Sequence, residues 1–159
     1  MKPARDPQVL LRSGEAAGAR YFSGHVVLDE ALLGGRVCTR YWSTAGQVVP
    51  EMYAEKTRWA VDEPADAFVV AVDGRDLAGG YEWVEAREEK DASGLRAAGP
   101  GVACSAVRLA HRAAGTEVTV HTRLDGGPFV VRWLEVKNTS PRPFSITEAC
   151  PFGGMVWTR

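Results

Sequence analysis

Cysteine is scarce in this chain, and what there is does not pair up. Cys38, Cys104 and Cys150 are odd in number, widely spaced and without a Cys-x-x-Cys motif. That pattern gives no disulfide framework, although one pair stays open; buried structural thiols are the preferred reading. Long hydrophobic runs are missing as well. No stretch approaches the ~20 apolar residues of a membrane span. Behind Lys2 and Arg5 only Val9-Leu10-Leu11 is apolar, far short of the roughly 7–15 residues at the centre of a signal peptide. The chain therefore reads as cytoplasmic, with no membrane partner. Charge of one sign is also lacking. A net charge of -1 offers no basic footprint for nucleic acid, which is set aside as a partner.

Catalytic signatures are equally thin. There is no Gly-x-Ser-x-Gly elbow. Gly74, Gly79 and Gly80 lack the Gly-Lys-Ser/Thr end and the following helix of a phosphate loop, so they read as turns. The three histidines, His25, His111 and His121, show no metal-ligand spacing, and surface or edge positions are their default; an approach of His111 to His121 on successive strands is the one variant left open. Glu82, Glu85, Glu88 and Glu89, and Asp62, Glu63 and Asp66, are dense enough to suggest the paired carboxylates of glycoside hydrolysis, but such runs are usually solvated faces. Asn138-Thr139-Ser140 fits a glycosylation acceptor that a chain without a secretory signal has little use for. No cofactor and no metal are expected.

What the chain does have is alternation. In Val118-Thr-Val-His121-Thr-Arg-Leu124, the residues Val118, Val120, Thr122 and Leu124 fall on one face, and Glu117, Thr119, His121 and Arg123 on the other. A period of two is the mark of a half-buried strand. Asp125-Gly126-Gly127-Pro128 supplies positive-φ positions for a turn, and residues 129–138 make a second, longer strand. Further strands are read at 20–28, 36–42, 67–72, 80–84, 102–109 and 143–148, the last pairing with the long strand through a turn at 138–142. The run 67–72 is apolar throughout and suits burial on both faces. Residues 29–33 suggest a helical turn closed by Gly34-Gly35, and residues 85–90 either a helical turn or an exposed edge. Short strands are also read at Met52-Tyr53 and 57–61, in a stretch that Pro50 and Pro64 interrupt.

Regularly spaced strands with no sustained 3.6 period predict an all-β, mainly antiparallel two-sheet sandwich. At 159 residues, 45% hydrophobic and 25% charged, the chain is long enough for one domain that buries roughly two thirds of its unfolded surface. It is too short for a (β/α)8 barrel of about 250 residues. The expected division is a flexible lead-in over 1–19 and one sandwich domain over 20–159. The apolar segment ending at Arg159 reads either as a last strand or as a chain cut within a domain.

Five tryptophans and four tyrosines are the remaining signal. An exposed Trp on a rigid sheet stacks on the apolar face of a sugar ring while polar neighbours bond its hydroxyls; a sandwich core consumes Trp too. Trp133 lies between Arg132 and Glu135, and Trp83 between glutamates. The candidate sugar-contacting residues are Trp133, Trp83, Trp157, Arg132 and His121.

Residues 124–149, Leu-Asp-Gly-Gly-Pro-Phe-Val-Val-Arg-Trp-Leu-Glu-Val-Lys-Asn-Thr-Ser-Pro-Arg-Pro-Phe-Ser-Ile-Thr-Glu-Ala, resemble the N-terminal β-sandwich of family 36 glycoside hydrolases, the alpha-galactosidase type. Phe68-Val-Val-Ala-Val-Asp-Gly-Arg-Asp-Leu77 suits the same domain, so the resemblance covers about residues 66–149. It implies a galactose-mutarotase-like supersandwich, here shortened, that normally precedes a catalytic barrel. The family's catalytic aspartates lie on that barrel, so none carries over. The implied function is a non-catalytic domain that packs beside a hydrolase barrel or binds sugar weakly. An immunoglobulin-like protein–protein interaction module, with self-association open, and a small carbohydrate-active enzyme using His121 or a Glu pair are the alternatives.

Overall fold

The computed structural model describes residues 6–43, 65–97 and 101–153. It is an all-β sandwich. Eleven strands are described: β1 Gln8–Arg12, β2 Gly18–Phe22, β3 Val27–Leu33, β4 Arg36–Ser43, β5 Val69–Val72, β6 Arg75–Asp76, β7 Glu82–Glu89, β8 Ala103–His111, β9 Thr116–Leu124, β10 Val130–Asn138 and β11 Ile146–Cys150. They form a first sheet in the order β1-β2-β3-β4, a second in the order β10-β9-β8-β7, and a three-stranded sheet β11-β5-β6. All pairings are antiparallel.

Turn chemistry sets most of this order. Gly34 and Gly35 both take positive φ (56° and 81°), the combination of a two-residue type I′ hairpin, and they join β3 to β4. Residues 29–33 are therefore strand, not a helical turn. Asp73 and Gly74 (φ 50° and 76°) repeat the device between β5 and β6. Ser23 splits the expected strand 20–28 in two: its Oγ accepts from the N–H groups of His25 and Val26, and its own N–H reaches Val26 O at 2.8 Å. A serine that binds the next backbone amides closes a turn.

The lead-in is more ordered than its composition suggests. Within residues 1–19, Gln8–Arg12 pairs residue for residue with Phe22–Gly18. Val9 is buried and Leu11 packs on the core, which is what an alternating pair of apolar side chains does when a sheet edge is available. The Glu-rich run 85–90 is the exposed edge alternative, most of it lying in edge strand β7.

The last strand pairs elsewhere than expected. β11 lies against β5, not β10. Asn138 explains the departure: its Oδ1 accepts from the N–H and hydroxyl of Ser140, and its Nδ2 donates to Arg142 O. Pro141 and Pro143 then remove backbone donors that a ladder back onto β10 would need. Ser145 instead exchanges hydrogen bonds with Asp73.

The core joins all three sheets, from Val9, Tyr21 and Leu28 through Phe68, Val70 and Val72 to Leu109, Val118 and Leu124. Ala67, Phe68, Val70, Ala71 and Val72 are all buried, as the continuous apolar run implied. β4 passes into this region through hydrogen bonds from Thr39 N to Ala65 O and from Ala67 N to Val37 O. The 118/120/122/124 face of β9 is inward throughout.

Polar links cross between the first and second sheets. Arg132 on β10 makes a two-pronged ion pair with Glu30 on β3, Nη1–Oε1 2.7 Å and Nη2–Oε2 2.8 Å. Its Nε donates to Thr122 Oγ1 and its Nη1 to Ala67 O, and its guanidinium lies 5.1 Å from the centre of the Phe152 ring. Beside it Ser105 Oγ meets Tyr21 Oη at 3.0 Å.

Candidate functional site

Each outward side chain of the second sheet is placed by the β7–β10 register. His121 on β9 sits opposite Trp133 on β10 and Ala106 on β8. Cross-strand partners on one face stand close enough to touch, and here the two rings stack in parallel, 4.9 Å between centres and 3° between planes. One face of Trp133 rests on the imidazole. Among the described residues β10 is the edge strand, and no described strand of this sheet covers the other face.

Carboxylates flank the stack on both sides. Glu89 Oε1 lies 2.7 Å from His121 Nδ1, and Glu135 Oε2 lies 3.6 Å from Nε2. A carboxylate only accepts, so Nδ1 carries the proton toward Glu89. In the neutral ring Nε2 is then an acceptor, and so is Glu135. Nε2 and the Glu135 carboxylate thus lie side by side at the end of the stack. Glu89 also borders a cleft of about 330 Å³ where β1 meets the ends of β7 and β8, shared with Gln8, Glu88 and Cys104.

A loop holds the end of this face. Arg123 points outward from β9, yet its side chain is 1% exposed, because residues 91–95 fold over it. Asp91 accepts from Arg123 Nε (2.9 Å), Ser93 Oγ (2.6 Å) and Ser93 N (3.0 Å), and Arg123 Nη2 donates to Leu95 O. The bonds from Ser93, then the bond from Arg123, hold the Asp91 carboxyl down at about 2. Burial pushes the nearby Cys104 thiol up to about 11, which keeps it protonated and inert at neutral pH.

The five expected contact residues do not all meet here. Trp133 and His121 do. Arg132 is one residue along from Trp133 and so points the opposite way, between the sheets, with its side chain 0% exposed. Trp83 is half-buried and packs against the core, opposite Leu109. Trp157 lies outside the described residues, as do Asp62, Glu63 and the strands read at 52–53 and 57–61.

The other candidates separate. His111 is not a surface histidine: it is buried, its Nε2 2.6 Å from Gly79 O and its Nδ1 accepting from Ala114 N. It pairs with Thr116, five rungs from the His121 row, or ~17 Å along the sheet, so the two histidines do not approach. Among the described residues no group of three or more His, Cys, Asp or Glu is arranged to hold a metal ion. Glu82 binds Arg112 and Glu85 binds Arg108 and Arg87, so these glutamates serve separate cations. Glu135 is legible from sequence as a face-mate of Trp133, two residues on. Glu89 is hidden in the Glu-rich run, since only the β7–β8 register brings it to His121. Among the described residues no helix is long and apolar enough to cross a membrane.

The fold and this face define an all-β sandwich bearing an aromatic–imidazole stack between two carboxylates, across the last two strands, β9 and β10, of its second described sheet. Comparison with known protein families, with curated proteins and with solved structures finds no match to this chain.

Proposed function

We propose that the chain is a non-catalytic β-sandwich module of carbohydrate processing that binds sugar through Trp133 and His121. It would work in the cytoplasm, alone or beside a hydrolase catalytic domain, as the likeness of residues 66–149 to family 36 sandwiches suggests. One observation carries the reading: the parallel Trp133–His121 stack on the edge strand of the described sheet, the indole half-exposed, with Nε2 and the Glu135 carboxylate beside it. An indole face takes the C–H side of a pyranose, and fixed acceptors orient its hydroxyls. The backbone of a paired strand keeps both rings in place before the sugar arrives, which lowers the ordering cost of binding.

A His–carboxylate pair such as His121–Glu89 also suits a general base. The indole stacked flat on the same imidazole, however, is what favours binding over catalysis.

Titration with neutral galactosides and other neutral glycans, followed by tryptophan fluorescence, tests the proposal. A saturable change is expected. Trp133→Ala is expected to weaken binding by about tenfold or more, on the scale of ~1–3 kcal/mol for loss of an aromatic stacking surface. Trp83→Phe, on the core side, should leave it unchanged. Absence of any saturable signal removes the reading.

A further inference from the structure

The outer face of the first sheet carries a cationic cluster, remote from the Trp133–His121 stack. Arg20 on β2 and Asp29 on β3 are register partners, and Arg12 reaches across from β1. Arg12 Nη2 lies 3.0 Å from Asp29 Oδ1, Arg20 Nη2 3.3 Å from Oδ2, and Arg40 Nη1, from the bulge in β4, 4.0 Å from Oδ2. Among the described residues three guanidinium groups thus converge on one carboxylate, two positive charges in excess. Asp29 is almost enclosed (8% exposed), whereas the arginine side chains are 35%, 39% and 42% exposed.

The backbone makes room for this arrangement. Gly18 lies between Arg12 and Ala31 in the register. A Cβ at Gly18 would run into the Arg12 guanidinium and the Glu30 carbonyl oxygen. The missing side chain is therefore the space through which Arg12 crosses β2 to reach Asp29 and, at 3.4 Å, Glu30 O. Two oxygens of Asp29 do not saturate three guanidinium forks with five N–H donors each. Among the described residues the Arg40 side chain makes no hydrogen bond, only the long approach to Asp29. Tyr41, the register partner of Asp29, places an aromatic ring on the same face.

We infer that Arg12, Arg20 and Arg40, spaced around Asp29 on the outer face of β1–β4, form a binding site for an oxyanion, a phosphate or sulfate group, free or carried on a saccharide. Guanidinium forks match such groups through paired N–H···O bonds. Asp29 holds the arginines in position and cancels part of their mutual repulsion, and the remaining excess charge selects an anion. This inference stands apart from the neutral-sugar reading, which concerns the other sheet.

The test uses the full chain at low ionic strength, where such contacts are least screened. Inorganic phosphate, inorganic sulfate, a sulfated oligosaccharide and its unsulfated counterpart are titrated by NMR, following the arginine side-chain and β1–β4 amide signals. Saturable shifts with inorganic anions mark a small-anion site. Shifts with the sulfated oligosaccharide alone place the oxyanion on a glycan. Either outcome supports the site, provided that Arg20→Gln and Arg40→Gln each weaken binding by about tenfold, the loss of one charge-assisted contact. Arg40→Gln removes no side-chain hydrogen bond among the described residues, so it separates ligand binding from stability. Binding that is unchanged in Arg40→Gln and Arg20→Gln, equal response to the unsulfated glycan, or no response to any probe overturns the inference.

Discussion

Arg132 carries a full charge into the space between two sheets, and Glu30 makes that tolerable. Burial works against the guanidinium, but the Glu30 carboxylate and its hydrogen bonds more than offset it and hold the group above its ordinary pKa. Removing one partner strands the other in a low-dielectric interior. Arg132→Ala is expected to cost about 3–5 kcal/mol, whereas the double variant Arg132→Met with Glu30→Leu is expected to be near neutral; urea unfolding of the two variants separates these outcomes. A second residue-scale expectation concerns acid. Asp91 titrates below the ordinary 3.8, at about 2, so its contribution is present above 3.8 and disappears as pH falls toward 2. Arg123 signals in NMR should follow that same window in the wild type and lose it in Asp91→Asn. The thiols follow burial: Cys150, partly exposed, should react with a maleimide before the buried Cys38 and Cys104.

At the scale of elements, β1 is the clearest case of order hidden in a polar segment. Deleting residues 1–12 removes the edge partner of β2 and uncovers Tyr21, which is fully buried beside it. A marked drop in thermal midpoint is expected; an unchanged midpoint would mean that the lead-in contributes nothing to the fold. Alternation alone locates β4, β8, β9 and β10, although the outward rows of β8 and β9 are themselves partly covered, Cys104, Ala106 and Arg123 being buried. It misplaces residues 29–33, where Asp29 and Glu30 look like a solvated turn. In fact Asp29 faces three arginines and Glu30 faces one from the opposite sheet, and neither long-range partner is visible in local spacing. The partner of β11 escapes a local reading for a similar reason. A turn at 138–142 is plain from Asn138 and the prolines, but the side-chain bonds that send the chain toward β5 depend on Asp73, far away in sequence. At the candidate site, Trp133 and His121 share a face that their alternation implies. Arg132 is misplaced by sequence alone, because a charged residue inside an edge strand looks outward until its counter-ion is known.

For the whole molecule, the two proposed ligand faces point away from each other. Trp133 stands on the outer side of the second sheet and the arginine cluster on the outer side of the first, with the common core between them. Among the described residues the close-packed layers between them contain no two-state element to couple the two faces. Saturating phosphate should therefore leave neutral-sugar affinity within about twofold, a difference well under 1 kcal/mol, and a competition titration checks this.

The Arg132–Glu30 bridge has one further consequence, for how the chain finds its native arrangement. A β10 that zipped onto β9 one place out of step would swing Arg132 into water, drive Trp133 inward and abandon Glu30 beside Tyr21 with no cation. An exchanged β10 from another molecule would pass this check only by docking in the same alignment. The bridge thus proofreads register: it adds little to the native state compared with greasy side chains, yet a one-place slip leaves Glu30 buried without its cation.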